Sequence, residues 1–518
     1  MRAERTCGLA LTLAVVGCLL VGGVPAATAA AEKPKSGGSV VGARTTEPPN
    51  YDAAKMPLAT SGLNAQMLYD QLFYEDKNGN PTPGLALSLE TTNNNTLYTI
   101  KLRKGVTFTD GTPFNASAVI AHWTRMQNPA MASPGANDVK EIQSMQAEDD
   151  LTVKVALLAP DATFRVPLMI GNMSYIPSPT AVAKYGTTYG TTPATTVGAG
   201  PFKLSELVTG DHQTYTKNST YWDSPRPYLD SVTFKVITDP TTRYNTFASG
   251  GADLIDNLNP SAINVDLDKT YNNVSPLPFG GGYGITLNTT QAPTNDLDVR
   301  LALAYAVNMP AVLQRAAQGT IPAATMYDKS APWYSSLALP TSNLKKAQSL
   351  IDGYMKRTGQ SAVTVNMVVS TAAATLLQAL QQEWAKVKGL TVNVSVESQL
   401  ALTSRIARRD YPNGMTVGSG GTPRGVLNGY LSTSTTNYSF LNDPAMDDAI
   451  KAANSTADPA KVKDAMATVA QRFNANMPFL ITYRLASAVW LKDNLKGVTG
   501  QPDSPTTFKT QHLYKTDA

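Results

Sequence analysis

The chain has 518 residues, 42% of them hydrophobic and only 16% charged, with a formal net charge of +4. That length suits about three domains with sizeable cores; so small a positive surplus argues against a nucleic-acid partner, and apolar residues spread along the whole chain argue against long disorder. The two cysteines, Cys7 and Cys18, sit near the N-terminus, and His122, His212 and His512 stand far apart, so the remaining chain offers no disulfide framework, metal-ligand spacing or cysteine nucleophile, and no cofactor is expected.

The N-terminus reads as an export signal. Arg2 and Arg5 precede an almost wholly apolar run, and small residues follow from Pro25 to Ala31, which places cleavage after Ala29 and makes residues 1–29 a signal peptide. A second reading stands beside it. Val15-Val16-Gly17-Cys18 resembles a lipoprotein box, with residues 1–17 removed and Cys18 lipidated, although the residues after Cys18 are apolar where a polar tether is usual. The run is short for a membrane span of ~20 residues. The protein is therefore expected outside the cytoplasm: secreted, periplasmic or attached to the outer face of the cell membrane.

Residues 39–42 begin a strand. Residues 63–73 carry Leu63, Met67, Leu68 and Leu72 at helical spacing. Apolar and polar residues alternate at 96–102 and again at 151–157, which predicts half-buried strands. Residues 113–125 read as a helix with Asn115 as its cap. Strands follow at 214–216 and 231–236, and a helix at 242–249. From Asp298 an apolar-periodic helix pair breaks near Met309-Pro310. Helices at 342–356 and 373–388 each precede a strand, at 362–369 and 390–396, the alternation of a layered α/β lobe. A strand at 413–417 leads into the loop Gly418-Ser419-Gly420-Gly421-Thr422-Pro423. A helix at 460–473 and strands at 479–483 and 486–491 close the chain.

The succession of motifs resembles the family 5 extracellular solute-binding proteins, the peptide-, nickel- and oligosaccharide-binding components of ABC importers. Gly37-Gly38-Ser39-Val40-Val41-Gly42 is followed by Tyr51-Asp52, then by Leu68-Tyr69-Asp70-Gln71-Leu72 and Pro83-Gly84-Leu85-Ala86. The block Leu102-Arg103-Lys104-Gly105-Val106-Thr107-Phe108-Thr109-Asp110-Gly111-Thr112-Pro113 is its most specific part. Val197-Gly198-Ala199-Gly200-Pro201-Phe202, Tyr221-Trp222, Gly251-Ala252-Asp253-Leu254, Leu287-Asn288-Thr289, Asp298-Val299-Arg300 and Asn437-Tyr438-Ser439-Phe440 continue it in order.

The resemblance implies an α/β, two-lobed periplasmic-binding-protein type II (cluster C) fold with an extra N-terminal subdomain and an interlobe cleft. On it, residues 37–75 with 196–285 and 490–518 form the first lobe, 76–195 the extra subdomain, and 286–489 the second lobe. Ligand would bind in the cleft, hinge closure would bury it, and the closed form would meet ABC permease subunits in the membrane. Oligopeptide is the leading solute, held by β-type hydrogen bonds from two segments. Those segments fall at Leu58, Ala59 and Thr60 and at Ser419, Gly420, Gly421 and Thr422. Peptide-binding members often carry Gly-Trp-x-x-Asp in the second segment, the Asp meeting the ligand's ammonium; this chain has neither Trp nor Asp there and offers Arg424, which could clamp a carboxylate or be solvated. A metal chelate, haem or oligosaccharide in the same cleft stays open, as does a receptor that senses solute for a signalling partner. A monomer is expected.

Most of these motif residues have a structural reading as well. Arg103 and Asp110 read either as an ion pair or as a solvated face, and Gly198 and Gly200 as a crossover between lobes. One enzyme-like signal exists, Ser342-Asn343-Leu344-Lys345, an S-x-x-K without the companion S-D-N and K-T-G elements. Its plainer reading is a helix capped by Ser342, so no catalytic residue is assigned and the chain is read as a binding protein.

Overall fold

Alternation of burial along the chain builds the strands. In Leu97–Leu102 the side chains of Tyr98, Ile100 and Leu102 are buried while those between face outward. The computed structural model describes residues 33–517 apart from 77–78, 258–266, 268, 275–281, 318–319, 321, 328, 330–333, 419–422, 485–487, 499 and 502–503. The signal region with Cys18 and the loop residues Ser419, Gly420, Gly421 and Thr422 thus lie outside the described residues.

Three sheets organise the molecule. The first has seven strands, in the order Asn272–Val274, Ala488–Leu491, Leu254–Asn257, Ser39–Arg44, Ser231–Val236, His212–Lys217 and Phe202–Val208. The second has five: Leu390–Glu397, Val363–Ser370, Gly414–Gly418, Tyr283–Leu287 and Phe479–Tyr483. A four-stranded sheet of Ala86–Thr92, Leu97–Leu102, Thr152–Leu157 and Ile142–Asp149 is antiparallel throughout. Each has its own apolar core. Val40, Phe202, Tyr215, Val232 and Leu254 pack in the first, Ile285, Val365, Leu377, Leu380 and Trp384 in the second, and Ile100, Phe114, Val119, Trp123 and Val153 in the third.

Helix starts follow side-chain chemistry. Asn115, Asp239, Asn308, Asp443 and Asp458 each accept a backbone N–H of the first turn they precede. Two differences from the sequence pattern have local causes. The first helix spans Leu58–Tyr69, earlier than its apolar spacing suggests, and ends where Asp70 takes φ 60° before the strand Phe73–Glu75. The helices Gln399–Arg408 and Pro444–Ser455 were not legible from apolar spacing, although Ser398 and Asp443 cap them.

Candidate functional site

The strand register shows which strand ends the chain joins as it passes between the two larger sheets. In the first sheet Ser39–Arg44 runs parallel to both Ser231–Val236 and Leu254–Asn257. The strand Asn272–Val274, antiparallel to Ala488–Leu491 as Leu254–Asn257 is, shares their direction, so the chain leaves this sheet beside Arg44, Val236 and Asn257. In the second sheet Val363–Ser370 runs parallel to Leu390–Glu397 and Gly414–Gly418. Tyr283 enters it opposite both Gly418 and Tyr483. The chain therefore passes to the second sheet between 274 and 283 and returns between 483 and 488, with Val274 paired to Val489 on one side and Tyr283 to Tyr483 on the other, each passage joining the carboxyl ends of one sheet's parallel strands to those of the other. Ligands of open α/β sheets bind outside such ends.

On the first side the crevice edge is braced by Arg44, the last residue of its strand. Its Nε donates to Asp256 Oδ2 at 2.7 Å, Nη1 to Asn64 Oδ1 at 2.6 Å and Nη2 to the Thr60 carbonyl at 3.0 Å. Arg44 and Asp256 are both buried. Asn64 in turn donates to the Tyr215 hydroxyl at 2.6 Å. Leu58, Ala59 and Thr60 form the first turn of the helix Leu58–Tyr69 rather than extended backbone. The Thr60 N–H already donates to the Pro57 carbonyl, and its own carbonyl serves Arg44. A β-type ladder on this segment has no free Thr60 groups to use; the orphan amides of a helix start are what a first turn offers instead.

On the second side Tyr283 and Tyr483 stack with ring centroids 5.5 Å apart. Burial pushes the Tyr283 phenol above its ordinary value, with Thr416 and Ser370 beside it acting in the opposite sense. The next residue, Arg484, is buried and donates Nη1 to the Met326 carbonyl at 2.8 Å and Nη2 to that of Thr325. Arg424 stands in the first turn of the short helix Pro423–Asn428, directly after the loop. Arg44, Asp256, Tyr283, Tyr483 and Arg484 escaped sequence reasoning, because what marks them is their place at strand ends. A cavity of about 390 Å³ lies elsewhere, on the second sheet's flank, where Glu397 accepts from Arg405 Nε through both oxygens at 2.9 and 3.0 Å.

The motifs that carry the resemblance mostly hold the scaffold. The buried carboxylate of Asp70 accepts from Tyr74, Tyr221 (2.7 Å), Trp222 Nε1 (2.9 Å) and the Gln71 N–H (2.8 Å). Burial raises its pKa, against the pull of those donors. Arg103 lies 3.9 Å above the Trp222 ring and donates to the Gly84 carbonyl, so three sequence motifs meet at one place. Arg103 and Asp110 are not paired: Asp110 accepts instead from Thr112 and Ser178. Gly198 and Gly200 lie where the small sheet's segment returns to the first sheet, not where the chain passes to the second. A Cβ at Gly198 would fall 2.1 Å from the Leu68 carbonyl oxygen. Arg300, held by the carbonyls of Thr294, Asn295 and Asn476, is lowered by burial to about 10. Asn343, not Ser342, caps the helix Leu344–Thr358, and Ser342 and Lys345 are exposed. Among the described residues no three His, Cys, Asp or Glu side chains cluster as metal ligands, and no helix is long and apolar enough to cross a membrane.

Comparison with known proteins agrees with this geometry. A family model described as bacterial extracellular solute-binding proteins, family 5 Middle, matches residues 80–440. The glutathione-binding protein GsiB of Shigella boydii is 32% identical over 356 residues, 67% of each chain. The periplasmic oligopeptide-binding protein OppA of Salmonella typhimurium is 26% identical over 540 aligned positions, 98% of this chain and 97% of its own. Among solved structures, AgaA from A. tumefaciens R10, in complex with agropinic acid, superposes with a TM-score of 0.81 at 23% identity, covering 92% of this chain and 99% of AgaA, which establishes the shared fold.

Proposed function

The chain belongs to the bacterial extracellular solute-binding proteins, family 5, and from that premise we propose that it captures peptides between its two lobes outside the cytoplasm and delivers them to the permease of an ABC importer. The observation that carries the reading is that the chain's two passages between the larger sheets join the carboxyl ends of the parallel strands of one to those of the other. Relatives named for glutathione and for oligopeptides support the peptide class.

The two lobes close as on a hinge. Solute touching both lobes favours the shut form by its differential affinity for that form. On the first side the helix start presents the N–H groups of Leu58 and Ala59, while Thr60, spent on Pro57 and Arg44, holds that turn in place. On the second, the loop Ser419, Gly420, Gly421 and Thr422, followed by Arg424, supplies backbone groups and a guanidinium. That loop has no acidic residue, so the solute's carboxylate rather than its ammonium is the charged group it selects. The protein works as a monomer and performs no chemistry on its cargo.

Isothermal titration with glutathione and with tri- to pentapeptides tests the reading, alongside native mass spectrometry of protein as purified. Binding of a peptide, with a gain in stability of about 2.7 kcal/mol at one hundred times Kd, is expected. A co-purified sugar or metal chelate, with no response to any peptide, would overturn the peptide class.

A further inference from the structure

The small antiparallel sheet reaches the second lobe. Asn93, Asn94 and Asn95 make the tip of its first hairpin with φ of 49°, 52° and 63°, the left-handed conformation that Asn tolerates better than most residues. The tip is tied to a second loop, since Asp161 N–H donates to the Asn95 carbonyl at 3.1 Å. Both loops meet the carboxyl end of the helix Pro444–Ser455 in the second lobe. Ala162 N–H donates to the Asn454 carbonyl at 2.8 Å, and Asn95 Nδ2 to the Ser455 carbonyl at 3.3 Å. These orphan carbonyls of a helix end are thus filled from another part of the molecule. The Asn454 side chain turns the other way: its Nδ2 donates to Asn428 Oδ1 at 2.7 Å. Asn428 ends the helix Pro423–Asn428, whose Val426 and Leu427 pack among Met446, Ile450 and Ala453. That helix begins directly after the loop 419–422.

We propose that Asn95 and Ala162 form a clasp that holds the lobes shut, and that Asn454 is a positioning residue relaying the clasp through Asn428 to the helix Pro423–Asn428. Closure of the cleft and packing of that helix are then one cooperative event. The link from that helix to solute affinity rests on the function proposed above; the clasp itself does not.

The test uses the full mature chain. Asn95→Gly keeps the positive φ and deletes only the amide, so the fold is retained. Small-angle scattering of the solute-free variant is expected to give a larger radius of gyration than wild type. Hydrogen exchange at 423–431 is expected to quicken in Asn95→Gly and in Asn428→Ala, which removes the relay's acceptor, while Asn428→Ala leaves the scattering curve unchanged. Glutathione affinity is expected to fall about fivefold in both, the factor set by one hydrogen bond's net worth. Unchanged scattering in Asn95→Gly would overturn the clasp. Unchanged exchange at 423–431 in that variant would overturn the relay. Failure of glutathione and of other peptides to bind wild type would instead refute the peptide reading, with the first two measurements still deciding the clasp.

Discussion

Replacing Arg44 by Met should be among the costliest single changes on the first lobe's crevice edge. The substitution keeps an apolar stem of similar length and deletes three donors, to Asp256, Asn64 and the Thr60 carbonyl. Asp256 is 4% exposed, and its Oδ1 has no hydrogen-bond partner among the described residues even with Arg44 present. Removing one member of a buried ion pair costs about 3–5 kcal/mol, because the other is left charged and dry; the buried Arg243, which also feels Asp256, holds the loss toward the lower figure. The destabilisation should therefore sit in the carboxylate that has lost its hydrogen-bonded cation, and Asp256→Asn in the Arg44→Met background should restore about 1–2 kcal/mol, since a neutral amide is cheaper to bury than a carboxylate without that partner. Urea unfolding followed by tryptophan fluorescence is a suitable assay, because Trp490 lies opposite Ile255, beside Asp256, on the same sheet. A loss below about 1 kcal/mol in Arg44→Met, or a double variant no more stable than the single one, would refute the reasoning.

Three further outcomes are expected. His122 is buried, with Nε2 donating to the Asn172 carbonyl, and burial lowers its pKa from 6.5 to about 4. The folded state then holds a neutral ring, so this contribution is complete above pH 6.5 and is lost as pH falls toward 4, by at most about 3 kcal/mol; His122→Gln should flatten the stability–pH slope in that window, and an unchanged slope would contradict the assignment. Gly200→Ala should destabilise by at least about 2 kcal/mol in the same urea assay, because its Cβ would fall 2.4 Å from backbone atoms of Met67 and Leu68, which cannot swing aside; a wild-type midpoint would show that the helix end can shift. Arg103→Lys should lose nearly as much as Arg103→Ala, about 1–2 kcal/mol, since the planar stack on Trp222 and the bond to Gly84 need a guanidinium; full retention by lysine would make charge alone responsible.

The chain's own pattern determined the elements and, through the order of its motifs, the family. Alternation announced the strand Leu97–Leu102, side-chain caps such as Asn115 announced helix starts, and the break at Met309-Pro310 fell where two helices meet. These signals are local, written within a few residues of where they act. Tertiary structure decided what those residues touch. Asp70 gains Tyr221 and Trp222 from 151 and 152 residues away in sequence, Arg103 turns to Trp222 rather than Asp110, and Leu58, Ala59 and Thr60 become a helical turn braced by Arg44. The crevice itself is non-local, because strand ends from two sheets converge only after register and crossover direction are set, and neither is encoded in any short stretch of sequence.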